Sequence, residues 1–379
     1  MTSTDAQLPT TDVLVIGAGI VGLAHAWAAR RRGLSVTVVE EASAVVGASV
    51  RNFGHCCVTG QTGEFARYAD TAREFWLQGA SAAGYWARES GAYMAARNDA
   101  ELALLEEAAG SAGPGPEAVR PVDRAGITAV LGSPRSSAVG GAYLPRDIRV
   151  DPRDAAPRLA AWLAEDQGVT FHYGTRALVV EDGVVLTTRG GLRAAHVFLC
   201  AGHGLRGVRP EVAEASGVRE CALQMVLARA PEGFTIDSAV LTGTSLLRYP
   251  AFAGLAGAAA VRARFAEDSP ELLEVDANVM FTRRPDGTLI LGDSHMRAGT
   301  VAPFQEEATT EVLLREHAAI LGVPGFSVLQ RWQGVYASSD STDLVCERLD
   351  DRTTAVTVST GIGMTISHGL AEENLSQLR

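Results

Sequence analysis

The chain contains no lysine: all 33 basic residues among its 379 residues are arginine. This absence excludes a Schiff-base lysine for pyridoxal phosphate, a lysine nucleophile and the lysine of a P-loop. Acidic residues outnumber basic ones, and the formal net charge of −11 argues against a nucleic-acid-binding surface. The function therefore depends on neither a lysine amine nor a basic face.

Cysteine is sparse as well, and its spacing excludes the common structural uses of the residue. Five cysteines in a chain of this length do not resemble a disulfide framework, and an odd, sparse set is typical of a reducing cytosol. No C-x-x-C or H-x-x-x-H spacing indicates zinc, and the consecutive His55, Cys56 and Cys57 offer too few spaced ligands. We therefore expect no metal.

Long apolar runs are also missing. No stretch is long and apolar enough to span a bilayer. The apolar run that begins at Val13 follows Asp5 and Asp12 instead of the basic segment of a signal peptide. The sequence predicts a cytoplasmic protein without membrane association, and its length predicts two domains.

The most informative stretch lies near the start of the chain. An apolar strand pattern runs into G-x-G-x-x-G at Gly17, Gly19 and Gly22, a helical pattern begins at Ile20, and a second strand pattern ends at Glu40. Such glycines permit a tight turn, a close backbone approach to a pyrophosphate and close helix packing, while the helix N-terminus attracts phosphate. The Glu40 carboxylate would accept a hydrogen bond from a ribose hydroxyl and repel a 2′-phosphate, which favours FAD or NAD over NADP.

Later segments predict a second, antiparallel sheet. Asp151 and Pro152 are typical of a helix start. Beyond residue 220 the pattern changes to strands separated by turns. The strand patterns cover 223–229, 245–249, 275–282 and 289–291, and a helical pattern at 311–321, a strand pattern at 354–359 and a C-terminal helix follow.

Separated segments resemble the D-amino-acid oxidase / glycine oxidase family of FAD-dependent amine oxidoreductases. They are the fingerprint with Glu40, the loop at 47–54, the strand that runs into Gly202, and the segment 361–365 with its helix. The resemblance implies an α/β fold with a Rossmann-like FAD-binding domain of the glutathione-reductase type and an interleaved antiparallel α+β substrate domain. The FAD-binding domain would comprise 1–80, 145–220 and 325–379, and the substrate domain 81–144 and 221–324.

The resemblance also implies which residues hold FAD. The ADP half would contact the fingerprint residues Gly17, Gly19, Ile20, Gly22 and Glu40. The pyrophosphate and ring would lie along Ser49, Arg51, Asn52 and the turn at Gly202, and the flavin O2/N1 edge along Gly361, Gly363, Met364 and Thr365. Some relatives attach flavin through a cysteine near the position of Gly334; none stands there, so FAD is expected to bind non-covalently.

Within the family, segments 49–54, 60–61, 247–250 and 292–295 resemble a subgroup associated with catabolism of aminophosphonates such as 2-aminoethylphosphonate and its N-methyl form. The family arginine that clamps an amino-acid carboxylate is replaced by Tyr336, which removes a bidentate partner. Arg248 and His295 could instead hold a tetrahedral anion. The sarcosine oxidase branch uses a lysine to help oxygen react. This chain has no lysine, so its electron acceptor is either molecular oxygen or another compound.

The predicted substrate-binding residues have ordinary structural alternatives. Arg248 could be a surface residue of a strand, and Tyr249 and Trp332 could fill the core instead of walling a cavity. His295 lies in a turn, and His55 lies in the loop expected at the ligand. The full predicted set is His55, Arg248, Tyr249, His295, Trp332 and Tyr336.

The implied reaction is oxidation of a small primary or N-methylated amine with an anionic head. A hydride would pass from the α-carbon to flavin N5, and the resulting imine would hydrolyse to an aldehyde. An uncharged amine would need no catalytic base, and the rate would rise with pH. The alternatives are a glycine- or sarcosine-type amino-acid oxidase, a nicotinamide-dependent dehydrogenase, and a non-catalytic dinucleotide-binding protein. A homodimer is one option for the assembly.

Overall fold

The computed structural model describes residues 8–111 and 115–378. The fingerprint forms a βαβ unit: β1 (Thr10–Ile16), α1 (Ile20–Arg31) and β2 (Val36–Val39), with β1 and β2 parallel. The buried aliphatic run of β1 ends at Gly17, whose φ of +102° allows the sharp turn into α1. The elements that follow are β3 (His55–Cys56), α2 (Gly63–Ala83), β4 (Ala87–Arg88), β5 (Ala92–Ala96), α3 (Asp99–Gly110), α4 (Gly115–Ala118), β6 (Arg120–Val122), α5 (Arg124–Leu131), β7 (Gly140–Leu144), β8 (Ile148–Val150), α6 (Pro152–Glu165), β9 (Thr170–His172), β10 (Ala177–Glu181), β11 (Val184–Thr187), β12 (Gly190–Leu199), α7 (Leu205–Val208), α8 (Pro210–Ala215), β13 (Arg219–Arg229), β14 (Ala239–Thr242), α9 (Gly243–Leu246), α10 (Pro250–Ala253), α11 (Ala258–Asp268), α12 (Pro270–Glu274), β15 (Met280–Arg283), β16 (Thr288–Gly292), β17 (Met296–Ala298), α13 (Glu307–Leu321), β18 (Val328–Ser338), β19 (Leu344–Arg348), β20 (Thr353–Val358) and α14 (Gly363–Ser376).

The first sheet is built around the fingerprint. Its strand order is β10-β11-β12-β1-β2-β9, and β20 pairs with both β12 and β19. β1 is parallel to β2 on one side and to β12 on the other, so the carboxyl ends of these strands lie at one edge. Buried side chains of α1, α2, α6 and α14 form one apolar core with β1 and β2. The α/β fold expected from the sequence is confirmed.

The second sheet is mostly antiparallel. Its strand order is β17-β13-β16-β15-β14-β5-β7-β6, and β18 pairs along the other edge of β13. Consecutive β16 and β17 both pair with β13, and the residues between them belong to neither strand. β18 lies in 325–379, which the sequence assigns to the FAD-binding domain, but its hydrogen bonds join it to the second sheet. The domain boundaries stay a prediction.

Several local predictions are confirmed. Asp151 accepts a hydrogen bond from the backbone N–H of Arg153 at the start of α6, and Pro152 follows in the first turn. β13, β16, β20, α13 and α14 lie where the sequence pattern predicts them, although α13 begins earlier than residue 311. Among the described residues, no helix has the length and apolar character that a membrane crossing requires.

The strands predicted at 245–249 and 275–282 are wrong in whole or in part. The first segment is the end of α9 followed by a turn: the N–H groups of Arg248 and Tyr249 both donate to the carbonyl of Ser245, and Pro250 starts α10, where its missing N–H has no cost. The second segment pairs as a strand only in β15. Asp276, with a positive φ of 45°, interrupts the extended conformation on the N-terminal side of β15.

Candidate active site

A single cavity of about 800 Å³ reaches from the N-terminus of α1 to the second sheet. Its volume lies in the range of small-molecule sites. The cavity brings together sequence-distant residues from the fingerprint, the loop after β2, the β16–β17 segment and the start of α14. From the predicted sets it is lined by Gly17, Gly19, Ile20, Glu40, Ser49, Arg51, Asn52, His55, Gly202, Arg248, Tyr249, His295, Tyr336, Gly361, Gly363, Met364 and Thr365.

The fingerprint glycines have separate steric roles. A Cβ on Gly17 would lie 2.5 Å from the carbonyl oxygen of Cys200 at the end of β12. A Cβ on Gly22 would lie 1.9 Å from the carbonyl oxygen of Gly17. Gly22 therefore does not line the cavity: its role is to let α1 lie against the turn that forms it.

Glu40 and Ser49 order the nucleotide end of the cavity. The Oε2 atom of Glu40 accepts from the N–H of Ala18 at 2.7 Å, and Oε1 accepts from the N–H of Ala42 at 2.9 Å. Each carboxylate oxygen keeps a further lone pair for a ribose hydroxyl. The Oγ atom of Ser49 accepts from the N–H of Ile20, at 2.8 Å, in the first turn of α1.

Asn52 and Arg51 shape the loop that covers this end. The amide of Asn52 donates to the carbonyls of Ala48 and Ser49, each at 2.9 Å, and its Oδ1 accepts from the N–H of Gly54 at 2.7 Å. Asn52 thus holds the loop closed on itself. Arg51 is exposed and lines the cavity.

The structure does not place Trp332 at the cavity, contrary to the prediction. Its indole N–H donates to the carbonyl of Arg51 at 3.2 Å, and the guanidinium of Arg153 lies 4.7 Å from its ring centre. Trp332 and Tyr336 lie four residues apart on β18 and therefore on the same face of the sheet, so the difference is one of position along the strand. Trp332 supports the loop from outside, whereas Tyr336 faces the cavity.

The start of α14 forms the opposite end of the nucleotide-binding part. Gly361 has a φ of +77°, and the first turn of α14 has neither a side-chain cap nor an acidic residue. Its positive dipole end therefore remains available to an electron-rich group. The buried hydroxyls of Thr357 and Thr360 have no hydrogen-bond partner and also line the cavity, as expected where a polar ligand completes the site.

Arg248 and Tyr336 form the wall at the other end. Nη2 of Arg248 donates to the phenol oxygen of Tyr336 at 2.9 Å. No carboxylate oxygen of the described residues lies within 4.0 Å of the Arg248 guanidinium. The cation is half-buried, so its charge is left for an anionic ligand. The alternative that Arg248 is a surface residue of a strand is not supported.

Asp293 and His295 lie next to this wall, between β16 and β17. Nδ1 of His295 donates to the carbonyl of Asp276 at 2.8 Å, and Nε2 lies 3.8 Å from Oδ2 of Asp293. Burial lowers the pKa of His295 well below its ordinary value, and the Arg248 charge lowers it further. His295 is therefore neutral, with a lone pair on Nε2, and the expectation that it helps to hold a tetrahedral anion is not supported.

Asp293 is a candidate proton acceptor that sequence reasoning missed. Burial raises the pKa of its carboxyl from 3.8 to about 7, although nearby Arg248 acts in the opposite direction. Its Oδ1 atom is buried without a hydrogen-bond partner. Asp293 lies two positions before His295, within the segment 292–295 that resembles the family subgroup. A carboxylate in that segment is the sequence feature that could have identified it.

His55 is held by an aspartate that no sequence pattern connects to it. Its Nε2 bonds to Oδ2 of Asp147 at 2.8 Å, and the N–H of Thr59 donates to Oδ1 at 2.8 Å. One ligand atom each of His55, Cys57 and Asp147 lie within 4.8 Å of one another. However, burial raises the pKa of Cys57 well above its ordinary value, and metal binding needs the thiolate. The absence of a metal stays a prediction.

Comparisons with known proteins place the fold. No curated protein matches the sequence significantly. The structure is similar to glycine oxidase from Geobacillus kaustophilus, with 18% identity, a TM-score of 0.77 and coverage of 98% of this chain and 94% of that one. It is also similar to FAD-bound L-alpha-glycerophosphate oxidase from Mycoplasma pneumoniae, with 16% identity, a TM-score of 0.75 and coverage of 98% and 96%.

A third similar structure is iminodiacetate oxidase from Chelativorans sp. BNC1, with 17% identity, a TM-score of 0.67 and coverage of 96% of this chain and 94% of that one. Identities this low carry the fold alone. The family is established by sequence instead, since the profile described as FAD dependent oxidoreductase matches residues 12–374. The chain therefore belongs to the FAD dependent oxidoreductase (DAO) family, and its cofactor is FAD.

Proposed function

We propose that the protein oxidises a small primary or N-methylated amine that carries an anionic head, with aminophosphonates as the substrate class. One observation carries the proposal: the Arg248 guanidinium lines the cavity without a carboxylate partner. A half-buried guanidinium that no carboxylate contacts can form charge-assisted hydrogen bonds to an anion, which are stronger than neutral ones. An anionic substrate group would accept those hydrogen bonds.

The neighbours of Arg248 favour a tetrahedral anion over a carboxylate. Tyr336 accepts one hydrogen bond from the guanidinium, so the fork of Arg248 is not wholly free for a bidentate carboxylate pair. The Tyr336 hydroxyl has its own proton to donate. A phosphonate has three oxygens and can accept from both groups at once.

The amine end of the substrate would face Asp293 and His295. Nε2 of His295 keeps a lone pair because Nδ1 donates to the Asp276 carbonyl, and Oδ1 of Asp293 lacks a partner. Both atoms are acceptors for amine N–H groups. The cavity thus offers a cation for one end of the substrate and acceptors for the other, which orients the molecule.

The described residues fit FAD as the cofactor. Glu40 has lone pairs for the ribose, the start of α1 would face the phosphates, and the unpartnered hydroxyl of Thr357 would bond to a polar atom of the cofactor. When bound, FAD supplies the two-electron acceptor for the hydride of the amine α-carbon. We expect non-covalent binding, because burial raises the pKa of the cavity-lining thiols of Cys57 and Cys200 and thiolate is the nucleophilic form.

An amine substrate is consistent with the names of two similar structures, which are oxidases of glycine and of iminodiacetate. Both of those compounds are amines with an anionic group. The proposed substrates differ from glycine in their anionic group, a phosphonate instead of a carboxylate, for which this cavity offers Arg248 and Tyr336.

Anaerobic flavin reduction tests the proposal. The FAD-loaded protein is mixed with 2-aminoethylphosphonate, its N-methyl form, glycine or sarcosine, and the yellow flavin absorbance is followed while the aldehyde product is trapped. We expect both aminophosphonates to bleach the flavin faster than glycine and sarcosine do. Faster bleaching by glycine or sarcosine would contradict the phosphonate assignment, and no bleaching by any amine would contradict amine oxidation.

A further inference from the structure

A second cavity of about 330 Å³ lies behind the wall formed by Arg248 and Tyr336. Arg248, Tyr336 and Thr360 line both cavities. The second cavity is also lined by Arg262 of α11, a residue that does not line the first. Because one guanidinium separates the two spaces, an ion in the second cavity lies next to the group proposed to hold the substrate anion.

The charges around the second cavity leave an excess of unpaired cations. Arg297 is paired with Asp276, at 2.6 Å between Nη1 and Oδ2, and the other lining acid, Asp340, is paired with Arg219. Arg248 and Arg262 have no carboxylate oxygen of the described residues within 4.0 Å. Both lining acids are thus paired with other arginines. Arg248 and Arg262 remain without a carboxylate in contact, although Asp293 and Asp276 act on Arg248 at longer range.

Two uncharged groups of this cavity add hydroxyls to the arginines. The hydroxyl of Thr360 is buried without a partner, and the Tyr336 hydroxyl accepts from Arg248 and also contacts the Cys221 thiol. Two unpaired guanidinium groups and two hydroxyls suit an ion with several oxygens distributed in three dimensions. A planar carboxylate would leave part of this donor set unused.

We propose that the second cavity is a binding site for a small tetrahedral oxyanion, a phosphonate or phosphate. The ion is either the head of an incoming substrate, caught by exposed Arg262 and passed to Arg248, or free phosphate. Of these two sources of the oxyanion, only the substrate head group rests on the proposed function. Since Arg248 is common to both cavities, an oxyanion bound here competes with the substrate anion.

Isothermal titration of the FAD-loaded protein with inorganic phosphate tests the site. Arg262→Gln is the test variant. Arg264→Gln is the matched control, because Arg264 lies on the same helix, pairs with Glu267 and Asp268 and does not line the cavity. We expect Arg262→Gln to weaken phosphate binding about threefold to tenfold, Arg262→Glu to weaken it more, and Arg264→Gln to leave it unchanged. Equal affinities in Arg262→Gln, Arg264→Gln and the unmodified protein would overturn the site, as would an absence of phosphate binding.

Kinetics distinguish the two sources of the oxyanion. If the substrate head is the source, Arg262→Gln lowers kcat/KM for 2-aminoethylphosphonate, and the difference disappears at high salt because the steering is electrostatic. If free phosphate is the source, kcat/KM is unchanged and phosphate inhibits the variant less. Failure of aminophosphonates to reduce the flavin, with phosphate binding still dependent on Arg262, would reject the proposed substrate and retain the site.

Discussion

Arg248 and Tyr336 are joined by a hydrogen bond of 2.9 Å although 88 residues separate them in sequence. The turn between α9 and α10 positions the arginine, and β18 positions the tyrosine opposite Cys221 of β13. A neutral partner thus orients the guanidinium without neutralising it. The charge of Arg248 stays available to a ligand in the cavity.

Replacing Tyr336 tests this orientation. Tyr336→Phe removes the phenol oxygen while Arg248 keeps its charge. The binding free energy of the anionic amine should therefore weaken by about 1 kcal/mol, which corresponds to a roughly threefold to tenfold rise in KM. Tyr143→Phe is the control, because that hydroxyl bonds to the carbonyl of Ser90 and does not line the cavity. Steady-state kinetics of the variants make the comparison, and an unchanged KM in Tyr336→Phe would contradict the role of the hydrogen bond.

The carboxyl of Asp293 should govern the pH dependence of flavin reduction. Burial raises its pKa from 3.8 to about 7, so below that pH the group is protonated and cannot accept a proton from the amine. The reduction rate should therefore rise as the pH increases through about 7. Asp293→Asn cannot ionise, and its profile should lack that rise.

Anaerobic pH profiles of Asp293→Asn and of Asp286→Asn check this assignment. Asp286 lies in the exposed turn between β15 and β16, so its variant should keep the unmodified profile. A rise of the same shape in Asp293→Asn would show that another group, such as the substrate amine, causes it.

Alanine substitutions of two glycines, Gly17 and Gly33, test the turn that forms the cofactor site. Gly17 and Gly33 both have positive φ, but a Cβ on Gly17 would lie 2.5 Å from the Cys200 carbonyl, whereas one on Gly33 meets no atom within 4 Å. Gly33→Ala should cost about 1–2 kcal/mol of unfolding free energy. Gly17→Ala should cost more and also release FAD, measured as flavin content after gel filtration. Equal effects on stability and flavin content would contradict the steric explanation.

Chelation tests the cluster of His55, Cys57 and Asp147. Both oxygens of Asp147 already accept hydrogen bonds, and burial keeps the Cys57 thiol protonated. EDTA treatment should therefore leave the Tm and the rate of flavin reduction unchanged, and elemental analysis of the purified protein should find no stoichiometric metal. A fall in Tm that zinc restores would assign the cluster to a metal.

The sequence predicts the cofactor half better than the substrate half for a physical reason. Gly17, Gly19 and Glu40 are close in sequence and serve a backbone geometry that few other residues permit. The substrate wall depends on long-range pairing instead. Trp332 and Tyr336 share one face of β18, and only the folded chain shows which position along that strand lies at the cavity. A pattern of alternating residues does not specify which partner covers each face.

Polar pairs that are distant in sequence cannot be predicted from it for the same reason. His55 lies 92 residues from Asp147, and no spacing rule links them. The protonation state of His295 is not readable from the sequence either, because its pKa depends on burial that only the folded chain defines. In contrast, the helix start at Asp151 is confirmed, since a cap is a local interaction between residues adjacent in sequence.

The recognition of the anion by Arg248 is tested most directly with paired amines and one variant. Anaerobic flavin reduction is measured for 2-aminoethylphosphonate and for propylamine, which lacks the anion, in the unmodified protein and in Arg248→Met. Loss of charge-assisted hydrogen bonds of about 1.5–3 kcal/mol should slow reduction by the aminophosphonate roughly tenfold to hundredfold at subsaturating concentration. Reduction by propylamine should change by less than about threefold. An equal loss for both amines, or no loss for the aminophosphonate, would contradict the assignment of Arg248 to the substrate anion.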